Sequence, residues 1–223
     1  MSKQIVIGLS TEGPTDIRFL ESIVKRTFQD IAYKECPQDV DIYVHPICVN
    51  KTGLAFPEYA RSASRYGVST YGIMVLAIHT DADRDTYDER YSNKIVPAQQ
   101  LLDSEDKYEC CKNLIPIIPV RMIEAWMLAD TSLLKDEIGT HMSDTDLGIN
   151  KDPETYADPK QVIESAIRIA TSDLPKRRPR ISIAELYGIL GDTISLDKLL
   201  QQDSYKKFHN CVRQAYKTLH YIY

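Results

Sequence analysis

The chain has 223 residues with 43% hydrophobic and 26% charged side chains, the balance of an ordinary globular protein of one domain, or one domain with an appendage. No stretch approaches the length of a membrane span, and the N-terminus lacks a basic region followed by an apolar run, so a cytoplasmic protein is the expectation. A formal net charge of -5 argues weakly against a nucleic-acid binder, although local fields matter more than the total.

The predicted elements alternate. Ile5 to Leu9 is a short, continuous apolar run and reads as a buried strand. Glu12-Gly13-Pro14-Thr15-Asp16 follows it, and Pro14 fits a first helical position. Ile17, Leu20, Ile23, Val24 and Phe28 then recur at helical spacing. A second strand is expected over 42–49, with Cys48 as a small buried hydrophobe, and a helix over 57–66. A third strand over 72–79 leads into Asp81-Ala82-Asp83-Arg84-Asp85. Helix 94–102 follows. Strand 114–120 contains Pro116 and Pro119, which mark it as an edge. A further helix starts at Glu124. The alternation predicts an α/β fold with a parallel sheet covered on both faces, spanning 1–130. Residues 131–223 read as a mainly helical extension, with a loop over 139–158 and helices over 159–170, 181–190 and 205–221. Five cysteines, an odd number without CxxC spacing, fit reduced thiols.

The chemistry is concentrated in the two acidic clusters. Both follow apolar strands, and in parallel sheets ligands bind beyond the carboxyl ends of strands. If the first and third strands are neighbours, Glu12, Asp81 and Asp83 meet at one rim. Converging carboxylates repel unless a positive charge stands between them, and oxygen donors of this kind suit Mg²⁺ or Mn²⁺. Solvated loop acids or helix caps are the plain alternative, most of all for Asp16, which falls in a first helical turn. A calcium loop starting at Asp81 would need Gly and Glu where Thr86 and Ser92 stand. No Ser-His-Asp arrangement, P-loop or Gly-rich dinucleotide turn is present. His79 reads as a buried neutral histidine and Trp126 as core. Glu124 is expected to support the site, and Arg121 either to bind phosphate or to pair with Glu124. Lys176, Arg177, Arg178 and Arg180 form a basic segment suited to a phosphate backbone.

Glu12-Gly13-x-Thr15-Asp16 after one strand and Asp81-x-Asp83-x-Asp85 after another resemble the Toprim domain of topoisomerases, bacterial primases and nucleases of the overcoming-lysogenisation-defect type. The segment Pro119 to Asp130, Asp158-Pro159-Lys160 and Ser204 to Phe208 resemble small standalone bacterial Toprim proteins. The resemblance implies Glu12, Asp81 and Asp83 as catalytic residues. It implies Glu12, Asp16, Asp81, Asp83 and Asp85 as Mg²⁺ or Mn²⁺ ligands; beside them Arg84 or Arg121 is expected to neutralise phosphate charge and Glu124 to support the site. It implies a nuclease acting on DNA or RNA, an effector in anti-phage defence beside an ABC-type ATPase, with a homo-oligomer left open. These 223 residues are expected to hold no topoisomerase, primase or ATPase module, which leaves cleavage as the simplest chemistry. The alternatives are a non-catalytic binding subunit of an ATPase complex and a small-molecule phosphohydrolase. The latter is disfavoured because Asp85 stands where the phosphotransferase pattern has Thr or Val.

Overall fold

The computed structural model describes residues 3–172 and 181–222. The basic segment containing Lys176, Arg177, Arg178 and Arg180 lies outside the described residues. Four strands, β1 (Lys3–Ser10), β2 (Val40–Pro46), β3 (Val75–His79) and β4 (Leu114–Ile117), form an all-parallel sheet in the order β2-β1-β3-β4. All five β3 residues are buried, as expected of a strand covered on both faces. β4, with Pro116 inside it, is an edge.

Parallel neighbours require crossovers, and helices supply them. α1 (Pro14–Glu35) joins β1 to β2, and its buried stripe includes Phe19, Leu20, Ile23, Val24, Phe28 and Ile31. α2 (Phe56–Tyr71) joins β2 to β3 and stops at Gly72, whose φ of 65° places it in the left-handed region. Short α3 (Tyr87–Arg90), a π-helical turn (Tyr91–Ile95) and α4 (Val96–Ser104) join β3 to β4. The chain moves one way from β1 to β2 and the other way from β2 to β3. Right-handed crossovers therefore place α1 on one face and α2 and α4 on the other. The buried apolar clusters agree. The largest gathers α1 with the C-terminal helices, while two smaller ones lie under α2 and α4.

The remainder comprises α5 (Glu124–Met127), α6 (Thr131–Ile138), α7 (Asp144–Leu147), a 3₁₀ turn (Pro153–Thr155), α8 (Pro159–Ala170), α9 (Ile183–Thr193), α10 (Leu196–Leu199) and α11 (Asp203–Thr218). α9 packs on α1 so closely that a Cβ at Gly191 would stand 2.7 Å from the Phe19 carbonyl oxygen, which requires glycine there. Trp126 is fully buried and donates its indole N–H to Ser204 Oγ at 2.7 Å, so it is core, as its sequence position implies. Tyr216 donates to the Phe28 carbonyl oxygen at 2.8 Å, and the Tyr205 and Thr27 hydroxyls lie 2.7 Å apart. These polar contacts fix α11 on α1 in a register that apolar packing alone leaves free.

Several local expectations shift. β2 ends at Pro46, so Cys48 lies in the following loop and is exposed, not buried. The stretch 139–158 holds α7 and the 3₁₀ turn, both started by side-chain caps from Ser143 and Asp152. All five cysteines are free. Among the described residues no helix is long and apolar enough to cross a membrane.

Candidate active site

β1 and β3 are direct neighbours, with Ser10 opposite Ile78. Continuing past both strand ends brings Glu12 alongside Thr80, whose hydroxyl donates to Glu12 Oε1 at 2.6 Å. This is also the point where the chain reverses its direction across the sheet, the crevice where α/β folds bind ligands. Asp16 arrives from the first turn of α1. Its Oδ2 accepts the Gly13 N–H at 2.8 Å, which is why the helix begins there.

His79, the last residue of β3, stands between two of the acids. Its Nδ1 lies 3.4 Å from Asp16 Oδ2 and its Nε2 lies 3.1 Å from Asp81 Oδ1. The ring is fully buried, which by itself disfavours the charged form. The two carboxylates outweigh burial and raise its pKa to about 9. His79 is buried, as its place on an apolar strand implies, but it stands between two carboxylates that favour its charged form. Asp81 is pushed up, first by burial and then by Glu12 and Asp16, with His79 offsetting only part. Burial also pushes Asp16 up, but His79 and the Gly13 N–H bring it below the ordinary carboxylate range. Glu12 reaches Thr80, next to Asp81, while Asp16 and Asp81 share His79, so the three acids lie in one neighbourhood.

Two lysines approach the same place from the opposite face. Lys94, in the π-helical turn, donates to Thr80 Oγ1 at 2.9 Å and stands 3.4 Å from Glu12 Oε1. Such turns recur at functional sites because the extra residue re-aims a side chain. Lys51, in the loop after β2, donates to the Thr11 carbonyl oxygen and to that of Glu12 at 2.8 Å. Burial lowers its pKa, with Lys94 adding to the effect against the pull of Glu12 and Asp16. Lys51 and Lys94, Glu12 and His79, and the apolar or aromatic side chains of Leu54, Phe56 and Tyr59 line an open pocket of about 410 Å³.

The other expected acids face elsewhere. Asp83 has a φ of 54° and is mostly exposed; its Oδ2 lies 2.8 Å from Arg90, which also stands 3.4 Å from Asp85 Oδ2 and donates to the Ala82 carbonyl oxygen at 2.8 Å. Arg121 donates to the Asp83 carbonyl oxygen at 3.0 Å and does not pair with Glu124. Glu124 is buried and accepts a hydrogen bond from Tyr187 of α9; burial raises its carboxyl, with Asp81 adding to the rise. Arg84 is exposed. Sequence reasoning missed Lys51, Lys94, Arg90 and Tyr187. The one signal available was that Lys51 follows β2, whose carboxyl end opens on the same rim as those of β1 and β3.

The chain matches no family model, no curated protein and no solved structure.

The donor chemistry of Glu12, Asp16 and Asp81 fits a hard divalent cation, since all are carboxylates at an accessible strand end. Their positive neighbours are the chain's own: His79 between two of them, Lys94 and Lys51 beside the third. Among the described residues no three His, Cys, Asp or Glu side chains are already grouped to hold a metal ion.

Proposed function

We propose that this rim is the catalytic centre of a metal-dependent nuclease that cleaves phosphodiester bonds in DNA or RNA. The observation that carries the reading is the convergence of Glu12, Asp16 and Asp81 at the β1/β3 crevice with two lysines alongside. The order of acids along the chain, which resembles the Toprim pattern, supports the same reading. A Mg²⁺ or Mn²⁺ ion would be held by Glu12, Asp16 and Asp81, and when bound it supplies an activated water and neutralises phosphate charge.

The chain's own residues do the rest. Lys51 and Lys94 attract the phosphate and oppose the charge that builds on its oxygens in the transition state. Glu12, accepting from Thr80 and close to Lys94, is the carboxylate placed to take a proton from the attacking water. His79 orients Asp16 and Asp81 from behind, where no solvent reaches it. Asp83 and Asp85 join the site only by exchanging Arg90 for the cation. The test is cleavage of single-stranded DNA, duplex DNA and RNA with Mg²⁺ or Mn²⁺ by the wild type, Glu12→Gln and Asp81→Asn. The reading predicts metal-dependent products that both variants lose. Equal cleavage by all three proteins, or cleavage unaffected by a chelator, would overturn it.

A further inference from the structure

The nuclease reading leaves one part of the rim unused: the apolar wall of the pocket beside Glu12. Leu54 is a large hydrophobic side chain left 39% exposed on the loop before α2, and Phe56 opens α2 next to it. A single exposed leucine would be ordinary. Here the apolar wall borders two cations. The Lys94 ammonium lies 5.2 Å from the centre of the Phe56 ring, and that of Lys51 lies 4.8 Å from the centre of the Tyr59 ring. Tyr59 is in turn fixed to the end of β1 by a short hydrogen bond with Ser10. Two ammonium groups that face one opening repel each other, and a bound phosphate would relieve that repulsion.

A double helix presents phosphate and sugar to a protein surface and keeps its bases stacked inside, so an apolar wall beside the phosphate site has nothing to meet. An unpaired nucleotide offers both partners at once, a phosphate for the lysines and a base for the hydrophobic wall. We propose that this pocket seats an unpaired nucleotide next to the scissile bond, and that the substrate is single-stranded or locally unpaired nucleic acid. The proposal rests on the nuclease reading for the bond that is cut, and on the pocket alone for what is bound. The phosphate lies between Lys51 and Lys94, and the base packs against Leu54 and Phe56.

Binding is measured in a chelator, where no metal-dependent cleavage occurs, with labelled oligo(dT), oligo(U) and a blunt duplex of equal length. Single strands are expected to bind at least about tenfold more tightly than duplex, and the dT and U arms distinguish DNA from RNA. Leu54→Ser and Phe56→Ala should each weaken single-strand binding on the order of tenfold and leave duplex binding unchanged, while Phe56→Tyr keeps it. Leu54 is exposed, so its substitution reports on the pocket without disturbing the core. Equal binding of duplex and single strand, no single-strand binding, or unchanged binding by both Leu54→Ser and Phe56→Ala would overturn the proposal. Single-strand binding that depends on Leu54 and Phe56, without any metal-dependent cleavage, would keep the pocket and remove the nuclease reading.

Discussion

The acids after β3 divide into two groups that one spacing in the sequence disguises as equals. Asp81, with Asp16, is turned inward onto a buried histidine; Asp83 and Asp85 are turned outward, and each is met from beneath by Arg90, whose side chain is mostly buried. The cause is the backbone. Hydrogen bonds from Thr80, Ala82 and Asp83 to residues 117–121 continue the β3–β4 pairing past the strand ends. Asp83 then takes a left-handed φ of 54°, and the chain turns away. The inner group feels low dielectric and strong coupling; the outer group is screened by water. Equal residue types thus carry unequal consequences, and each expectation below probes that inequality.

The largest expected effect is on catalysis. Glu12→Gln and Asp81→Asn should each reduce cleavage by about 10²–10⁴-fold, the range for removing a group that moves a proton or stabilises the reacting atoms. Asp85→Asn should cost only a few-fold. A comparable loss for Asp85→Asn in single-turnover assays would show that inner and outer acids act as one set.

Stability should show the same division. With metal chelated, His79→Leu leaves the half-buried Asp16 and Asp81 carboxylates without their partner, which should cost up to about 3 kcal/mol in urea unfolding. Mg²⁺ should narrow that loss. The sign with pH follows from the raised pKa. The folded-state value of about 9 exceeds the ordinary 6.5, so the contribution of His79 is full below about pH 6.5 and disappears as pH rises through about 9. Metal-free wild type should therefore lose stability across that window, and His79→Leu should not show that component of the decline. A parallel decline in both proteins would mean that the ring is neutral in the fold.

The next effect tests whether the helical extension is part of the site. Tyr187 of α9 donates to buried Glu124, and its own pKa is raised by burial and by that carboxylate. Tyr187→Phe removes the donor and leaves a buried acceptor unmet, which should cost about 1–3 kcal/mol. Glu124→Leu in the same background should recover part of the loss, because both polar partners are then gone. No recovery in the double variant would show that Glu124 matters through Asp81 and not through Tyr187.

The parallel sheet and its helices were legible because each strand is a short apolar run and each helix an apolar stripe, both local signals. The meeting of Glu12 with the end of β3 was legible only on the condition that β1 and β3 are neighbours, which strand alternation allows but does not fix. The cations were not. Lys51, Lys94 and Arg90 are ordinary charged residues in a loop, a π-helical turn and a short helix, and only the path of the chain through space brings them to the acids. For His79 the apolar strand predicts the burial that is found, but not the two flanking carboxylates, because Asp16 lies on another element. Cys48 was misread because the ladder from β1 to β2 stops at Pro46, two residues before it.

The smallest effect is expected at Asp83, and it is the most discriminating for the outer group. Its side chain is 64% exposed and pairs with Arg90, which also holds Asp85 and the Ala82 carbonyl oxygen. Removing the exposed carboxylate of such a pair usually changes stability by less than about 1 kcal/mol, and salt weakens what remains. Asp83→Asn should therefore unfold within that margin of wild type, and the gap should close as ionic strength rises. Arg90 is the more deeply placed partner, with 11% of its side chain exposed, and its Nε has no hydrogen-bond partner. Arg90→Met should consequently destabilise more than Asp83→Asn. If the order is reversed, the turn after β3 is held by its carboxylate and not by the arginine, and the line between inner and outer acids would have to be redrawn one residue further out.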